Sequence, residues 1–306
     1  MTAPRLPVTV IGGYLGAGKT TLVNNLLRGA DGRRLAVLVN DFGAVPIDRD
    51  LIVASDGDTV ELAGGCVCCN YGSDLMEALA NLPARLPGIE GVVLEASGVA
   101  LPGMVASAVT LLPVYRIDGV VVLADAGTVR ERADDAYLGD TIRRQLEAAD
   151  LVVLNRCDLV EETTREALAI WLSQEVPHAR AVTAVRADIT PDLVLGLRDA
   201  PADRPSSILR TPGAPDAAAL YESVEVAVPV AVDAEALARR LTAPGLGLLR
   251  AKAIVEGADG RKTALHVVGG RYGIDPAPAG ARTGRLVAIG LRGRLDVAAL
   301  RSIVQN

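Results

Sequence analysis

Residues 10–21 read Val-Ile-Gly-Gly-Tyr-Leu-Gly-Ala-Gly-Lys-Thr-Thr and contain the pattern Gly-x4-Gly-Lys-Thr. An apolar run, Leu6-Pro7-Val8-Thr9-Val10-Ile11, precedes the pattern, and a stretch with helical spacing follows it. Strand, glycine-rich loop and helix in this order are typical of the loop that wraps nucleotide phosphates. A glycine-rich turn without a ligand is the alternative, but the full pattern in this context favours a nucleoside triphosphate.

Each residue type in this loop has a physical role toward phosphate. Gly13, Gly16 and Gly18 tolerate positive φ, so that backbone N–H groups can converge on an anion. The helix that begins near Lys19 directs its positive dipole end at the same anion. Lys19 supplies a charge for the β and γ phosphates, and the Thr20 hydroxyl is placed to coordinate Mg²⁺. The predicted nucleotide-binding residues are Gly13, Gly16, Ala17, Gly18, Lys19, Thr20 and Thr21.

The composition predicts a folded α/β protein. Half of the 306 residues are hydrophobic but only 3% are aromatic, which is typical of parallel strands buried under helices. The net charge of −6 argues against a general binder of nucleic acid or of anionic membranes. No apolar stretch is long enough for a membrane span, and no signal-peptide core precedes the first predicted strand, so we expect a cytoplasmic location.

Apolar runs alternate with stretches of helical spacing over the first two hundred residues, which predicts a doubly wound, mostly parallel sheet. The predicted strands lie at 34–39, 92–95, 119–124 and 150–154, and helical stretches lie at 74–82 and 140–148. We therefore assign residues 1–200 to one large α/β domain.

A proline-rich stretch without periodicity predicts a linker at 201–217. Beyond it, residues 218–306 are expected to form a smaller C-terminal α+β domain. Its predicted strands lie at 220–226, 262–268 and 284–290, and its predicted helices lie at 233–242 and 296–304.

The segment Asn155-Arg156-Cys157-Asp158 follows the apolar strand 151–154, the position at which P-loop GTPases place their base-reading segment. An aspartate there accepts from guanine N1–H and from the exocyclic amine, a match that adenine cannot make. We therefore expect Asn155 and Asp158 to select GTP. The alternative is a strand-ending turn. Arg156 stands where lysine is usual, and an arginine stem can pack on the base similarly.

Two further segments lie where phosphate-sensing loops are expected. Asn40-Asp41-Phe42-Gly43-Ala44-Val45-Pro46-Ile47-Asp48 follows one apolar run, and Glu95-Ala96-Ser97-Gly98 follows another. In the second, Glu95 can orient a metal-bound water and the Gly98 N–H can meet the γ-phosphate. Asp48 is a candidate Mg²⁺ ligand or switch residue. A capping or turn role is the alternative for either segment.

Three of the four cysteines form a Cys-x-Cys-Cys set at Cys66, Cys68 and Cys69. Three soft donors in four residues suit Zn²⁺ or Cu⁺, and a carboxylate or histidine from elsewhere could complete a zinc tetrahedron. Packing as small apolar residues and redox chemistry are the alternatives. We expect a transition-metal site here.

With these segments in order, the chain resembles the CobW family of P-loop GTPases, which are metallochaperones. The resemblance rests on Gly12 to Thr21, Asn40-Asp41-Phe42-Gly43 with Asp48, Gly65-Cys66-Val67-Cys68-Cys69, Glu95-Ala96-Ser97-Gly98 with Pro102, Gln145 with Ala149-Asp150, and Asn155-x-x-Asp158. The glycine–cysteine segment is the mark of this family. The stretch Leu248 to Lys252 with His266 resembles its C-terminal domain.

The resemblance implies GTP hydrolysis coupled to delivery of zinc or cobalt to a client metalloprotein or cofactor pathway. Lys19, Thr20 and Glu95 would be the catalytic residues, and the cysteine motif would load the metal. A GTP-switched metal-binding adaptor, in which hydrolysis is incidental, is the alternative. A P-loop kinase or ATPase gives no reason for the Asn155-x-x-Asp158 pattern.

The chain departs from the family in three respects. Ala44 stands where relatives commonly carry a carboxylate, and Arg156 replaces a lysine. Only two histidines are present, His178 and His266, whereas many zinc-delivering relatives have a histidine-rich stretch. We expect His178 in a loop and His266 in a strand, and we expect neither to form part of a high-capacity metal store.

Overall fold

The structure is a computed structural model. It describes residues 5–30, 32–39, 73–196, 220–278 and 280–305. The chain divides into two compact units: one spans Leu6–Pro191, and the other contains Arg5 and the chain from Asp192 onward. The predicted linker lies entirely outside the described residues, and the domain limits of residues 1–200, 201–217 and 218–306 remain predictions.

The first unit is built on a parallel sheet with the strand order β2-β3-β1-β4-β5-β6. Its strands are β1 (Leu6–Gly13), β2 (Leu35–Val39), β3 (Gly91–Glu95), β4 (Tyr115–Asp125), β5 (Leu151–Asn155) and β6 (Arg180–Thr183). Strands β3 and β5 are buried along their whole length and β1 is buried from Val8 onward, as expected when helices cover a parallel sheet.

Helices connect these strands and supply much of the core. They are α1 (Lys19–Arg28), α2 (Ser73–Arg85), α3 (Pro102–Val109), α4 (Val129–Asp134), α5 (Gly139–Glu147) and α6 (Glu162–Glu175). A short helix, α7 (Pro191–Leu195), follows β6, and its residues from Asp192 onward belong to the second unit. Side chains such as Leu79 on α2, Val105 on α3 and Leu146 on α5 pack with strand residues in one continuous apolar cluster. The confirmed doubly wound arrangement follows from the alternation of apolar runs and helical spacing.

The topology of the sheet places the loop after β1 at its centre. From β1 the chain runs toward one edge of the sheet to form β2 and β3. From β3 it crosses β1 to form β4, and the later strands follow toward the other edge. Ligands of doubly wound folds bind outside the carboxyl ends of the strands at such a point of reversal. The glycine-rich loop therefore lies where this fold binds ligands.

The second unit is an antiparallel sheet with the strand order β10-β9-β8-β11-β7. Its elements are β7 (Tyr221–Ala227), α8 (Ala234–Leu241), β8 (Leu248–Glu256), β9 (Lys262–Val268), β10 (Arg271–Pro276), β11 (Arg285–Leu291) and α9 (Val297–Gln305). Leu237 on α8 and Leu300 on α9 pack into the same apolar cluster as the sheet. Asp233 caps α8 by accepting from the N–H groups of Glu235 and Ala236, as the sequence predicts.

The structure contains three strands that periodicity alone did not predict. β6 has only four residues, β8 carries the buried Arg250 within its apolar run, and β10 contains glycine, aspartate and proline. Such strands are hard to predict, because the alternation of apolar and polar residues is recognisable only in a run of sufficient length whose polar residues face water. Among the helices that the structure describes, none has both the length and the apolar character required to span a membrane.

A buried tyrosine compensates for the proline inside α2. Within a helix the Leu79 carbonyl would accept from the N–H of residue 83, but that residue is Pro83, which has no N–H. The Tyr115 hydroxyl donates to the Leu79 carbonyl instead, at 2.6 Å. Tyr115 is only 2% exposed, and burial raises its pKa to about 12. The first residue of β4 therefore completes the hydrogen bonding of α2.

Tyr115→Phe is expected to lower the free energy of unfolding by about 1–3 kcal/mol, since it leaves the buried Leu79 carbonyl without a partner. The loss should be smaller in the Pro83→Ala background, where the helix regains the missing N–H. Chemical denaturation of the four proteins in a double-mutant cycle measures this coupling. Additive effects of the two substitutions would contradict the compensation.

The same tyrosine predicts a pH dependence. Between its ordinary pKa of 10.0 and its raised pKa of about 12, the unfolded chain loses the phenolic proton while the folded chain keeps it. Unfolding is therefore favoured increasingly as the pH rises through this interval. Tyr115→Phe should show a shallower decline in stability over the same interval.

Candidate nucleotide-binding site

The loop between β1 and α1 has a backbone that only glycine accommodates. Gly13, Gly16 and Gly18 have φ values of 130°, 78° and 104°, in the region that glycine enters without a steric penalty. A Cβ on Gly13 would lie 2.3 Å from the Leu123 carbonyl oxygen, and a Cβ on Gly18 would lie 2.5 Å from Asn155 Nδ2. The sequence prediction of three positive-φ glycines is therefore confirmed.

Lys19 is almost fully buried at the first position of α1. Its ammonium nitrogen donates to the Gly13 carbonyl at 3.0 Å and lies 3.4 Å from the Tyr14 carbonyl. Loop carbonyls thus hold the charge at the inner side of the loop. An anion that entered the loop would meet this ammonium together with the N-terminus of α1. Of the other predicted loop residues, Ala17 is buried and Thr21 is exposed.

Thr20 and Glu95 form a pair of oxygen donors beside the loop. The Thr20 hydroxyl donates to Glu95 Oε1 at 3.0 Å. Glu95 ends β3, pairs with Ile11 of β1 and is 4% exposed. A hydroxyl and a buried carboxylate are hard oxygen ligands, the kind that Mg²⁺ prefers. The pair therefore fits Mg²⁺, which the Thr20 hydroxyl would hold while Glu95 orients that hydroxyl and a metal-bound water.

The segment after Glu95 is fastened to the loop and to α5. The Ala96 N–H donates to the Ile11 carbonyl at 2.8 Å. Gly98 lies so close to the loop that an added Cβ would be 2.9 Å from the Leu15 backbone nitrogen. Gln145, which is 2% exposed, donates through Nε2 to the carbonyls of Gly98 and Ala100 at 3.1 and 2.8 Å. The predicted second switch thus lies against the phosphate loop.

Asn155 connects the phosphate loop to the loop after β6. Its Nδ2 donates to the Ala17 carbonyl at 2.9 Å, and its Oδ1 accepts from the Ala187 N–H at 2.7 Å. Asn25 on α1 donates to the carbonyls of Arg186 and Ala187 at 3.0 and 3.1 Å. Sequence reasoning missed this third loop. Its position directly after a strand at the carboxyl edge of the sheet was the available signal, but β6 was itself not predicted.

Arg156 and Asp158 follow Asn155 at the surface. Arg156 has a φ of 60°, and its guanidinium donates to Asp125 Oδ2 at 2.9 Å. Asp125 Oδ1 in turn accepts from the Gly127 N–H at 2.9 Å. Asp158 lies in a short 3-10 helix and is exposed. The carboxylate that the sequence assigns to base recognition is therefore accessible, while Arg156 already has an acidic partner.

Cys157, between Arg156 and Asp158, is a buried structural residue. Its thiol donates to the Leu154 carbonyl at 3.1 Å, and burial raises its pKa above the ordinary value of 9.0. A raised pKa keeps the sulfur protonated near neutral pH, and the protonated form is a poor nucleophile and a poor metal ligand.

Residues 7–183 match the family of CobW/HypB/UreG nucleotide-binding domains. The chain belongs to this family. Residues 221–306 also match the C-terminal domain of the cobalamin synthesis protein CobW. These matches confirm the resemblance that the sequence motifs indicate.

Three curated relatives are similar to this CobW-type chain over part of their length. The zinc chaperone CobW from Sinorhizobium sp. is 31% identical over 63% of this chain and 63% of its own length. The zinc chaperone CobW from Pseudomonas aeruginosa is 32% identical over 64% and 61%. The zinc-regulated GTPase metalloprotein activator 1 from Dictyostelium discoideum is 29% identical over 58% and 45%. The chain thus matches less than two thirds of each relative.

Several predicted site residues of this CobW-type chain lie outside the described residues. They are the first predicted phosphate-sensing segment, residues 40–48, which contains Ala44 and Asp48, and the three cysteines Cys66, Cys68 and Cys69. Among the residues that are described, no group of three or more histidine, cysteine or acidic side chains is arranged to hold a metal ion.

Both histidines lie in the described ranges. His178 is in an exposed turn, with Nε2 at 2.9 Å from the Glu147 carbonyl. His266 is a half-buried residue of β9. The loop and strand positions expected for them are confirmed.

Asn155→Ala is expected to lower the affinities for a GTP analogue and for GDP together, by about tenfold or more, because both nucleotides use the loops that Asn155 connects. The free energy of unfolding should also fall by about 2 kcal/mol or more, since the buried Ala17 carbonyl and Ala187 N–H each lose a partner. Fluorescent nucleotide titration and chemical denaturation measure the two effects.

Asn25→Ala is the matched control, because it removes an amide that holds the same Arg186–Ala187 segment from a partly exposed position. We expect a smaller loss of stability and a smaller change in affinity than for Asn155→Ala. Unchanged nucleotide affinity in Asn155→Ala would show that this amide does not position the loops.

Proposed function

We propose that this chain is a GTP-hydrolysing metallochaperone that carries a transition metal ion, zinc or cobalt, to a client metalloprotein or cofactor pathway. The observation that carries the proposal is the loop after β1, where Lys19 is held by loop carbonyls and the Thr20 hydroxyl is paired with Glu95. Phosphate and Mg²⁺ fit these groups. The names zinc chaperone and zinc-regulated GTPase, given to relatives, support the reaction and the cargo.

The residues of the loop have separate roles in the proposed binding of GTP. Lys19 exchanges its neutral carbonyl partners for β and γ phosphate oxygens, whose negative charge attracts the ammonium more strongly than a carbonyl dipole does. The backbone between Gly13 and Gly18 supplies N–H donors to the same oxygens. Mg²⁺, when bound, neutralises charge on the β and γ phosphates. Glu95 orients the Thr20 hydroxyl toward the metal and is proposed to orient the attacking water.

Guanine selectivity is proposed to come from the exposed carboxylate of Asp158. It would accept from guanine N1–H and from the exocyclic amine, whereas adenine would leave it without partners. Arg156 keeps its charged end on Asp125, so the aliphatic stem is the part that would pack on the base. Asn155 acts on the base site indirectly, through the two loops that it connects.

The cargo site is proposed at Cys66, Cys68 and Cys69, with one further ligand from elsewhere. Thiolates favour zinc and related soft ions, and the names of the relatives favour zinc. These cysteines belong to the chain between β2 and α2, and β2 ends at Val39, which pairs with Glu95 in the sheet. The chain that leads to the cysteines therefore follows a strand whose last residue pairs with a proposed catalytic residue, which supports linkage between metal affinity and nucleotide state.

We expect zinc affinity to differ about tenfold or more between the GTP-analogue and GDP complexes, which corresponds to about 1.4 kcal/mol of coupling. Competition titration with zinc and cobalt, in the presence of analogue, GDP or no nucleotide, measures this difference in affinity.

Cys66→Ala or Cys68→Ala should lower metal affinity and leave GTP binding nearly intact. Lys19→Ala should abolish GTP binding and retain metal uptake.

Cys157→Ala is the matched control for the cysteine variants, because the thiol of Cys157 is buried and donates a hydrogen bond to the Leu154 carbonyl. Metal affinity that is the same in all three nucleotide states would favour the adaptor alternative, in which hydrolysis is incidental. Metal affinity that survives Cys66→Ala and Cys68→Ala unchanged would remove the cysteine site from the proposal.

Asp158→Ala is expected to remove the preference for guanine over adenine nucleotides, since adenine loses no hydrogen bond when the carboxylate is absent. Competition of GTP and ATP for a fluorescent nucleotide measures the preference. Glu166→Ala, which removes an exposed carboxylate of α6, is the control. If Asp158→Ala keeps the wild-type preference, the base assignment is wrong.

A further inference from the structure

The hydroxyl of Ser97 is a buried polar group beside the proposed phosphate site. Ser97 is 4% exposed, and its Oγ has no hydrogen-bond partner in the part of the chain that the structure describes. Buried hydroxyl groups are normally hydrogen-bonded, because burial without a partner loses the hydrogen bonds that water would make. An alanine would keep the Cβ of this residue and avoid that loss. The Ser97 hydroxyl can therefore accommodate a partner that the described residues do not supply.

The backbone on both sides of Ser97 is fixed relative to the phosphate loop. Before it, the Ala96 N–H donates to the Ile11 carbonyl of β1 at 2.8 Å. After it, Gly98 lies against the Leu15 backbone, where even a Cβ would come within 2.9 Å of the nitrogen. Gln145 holds the Gly98 carbonyl from the other side. Ser97 thus lies on a short segment whose backbone is held against the phosphate loop and α5.

The neighbouring residues show which ligand atoms lie within reach of this segment. Two residues earlier, Glu95 accepts from the hydroxyl of Thr20, the proposed Mg²⁺ ligand. One residue later, Gly98 contacts Leu15 of the phosphate loop. The residue before Leu15 is Tyr14, and its carbonyl lies 3.4 Å from the Lys19 ammonium. Lys19 binds the outer phosphates in loops of this kind. Ser97 therefore lies between a metal-side residue and the part of the loop that faces the outer phosphates.

We propose that the Ser97 hydroxyl donates a hydrogen bond to an oxygen of the third phosphate and so distinguishes a nucleoside triphosphate from a diphosphate. This inference rests on the proposed function, and it gives a role to the Ser97 side chain within the predicted phosphate-sensing segment, beside the Gly98 N–H. A diphosphate has no third phosphate, so the hydroxyl contributes to the binding of GTP and not to the binding of GDP.

Ser97→Ala tests this discrimination in the full chain. We expect its affinity for a non-hydrolysable GTP analogue, measured with Mg²⁺ by fluorescent nucleotide competition, to fall about tenfold, as for the loss of one hydrogen bond to a charged group. Its affinity for GDP should stay within about twofold of the wild type. Thermal unfolding of the nucleotide-free variant should occur at or above the wild-type temperature, because the described residues provide no hydrogen bond to lose.

Ser107→Ala is the matched control. Ser107 is an exposed serine of α3 whose hydroxyl donates to the Gly103 carbonyl at 2.8 Å, and we expect neither nucleotide affinity to change. Equal losses for the analogue and GDP in Ser97→Ala, or no loss for either, would overturn the inference and leave the proposed function standing. A wild-type chain that binds neither nucleotide would overturn both.

Discussion

The nucleotide site depends on the buried amide of Asn155. This residue ends β5, and its two polar atoms bind loops that leave the sheet from two other strands, the phosphate loop at Ala17 and the loop after β6 at Ala187. A buried amide that must satisfy both atoms fixes the distance between those loops. Arg186 and Ala187 keep positive φ values, a backbone conformation that costs about 1–2 kcal/mol per residue, and two asparagine side chains hold them in it.

The same requirement organises the other side of the phosphate loop. Glu95 finds a partner in the Thr20 hydroxyl, and Gln145 satisfies two carbonyls of the segment that follows β3. In each case the partner comes from another element at the carboxyl edge of the sheet. A change in one loop therefore changes the hydrogen bonding of its neighbour. Such shared polar contacts are a physical means by which a ligand in the phosphate loop can affect the segment around Ser97.

The sequence predicted most of the first unit because its information is local. Apolar runs give the strands, and the glycine positions give the loop, since glycine enters the positive-φ region without the steric penalty that side chains bring. The contacts of Gln145, Asn25 and Asp125 could not be predicted, because they join residues far apart in sequence whose positions depend on the packed fold. In the second unit, β8 was missed because the buried Arg250 interrupts its apolar pattern.

The topology of the chain also constrains how a metal site and a nucleotide site could communicate. The cysteine-containing segment begins after β2, whose last residue pairs with Glu95, and it ends at α2, which contacts α3. Helix α3 begins two residues after Ala100, whose carbonyl Gln145 holds. One end of the segment therefore follows a strand that pairs with β3, and the other end begins a helix that contacts α3. Coupling that acts through them is reciprocal: a metal that favours one nucleotide state must be bound more tightly in that state.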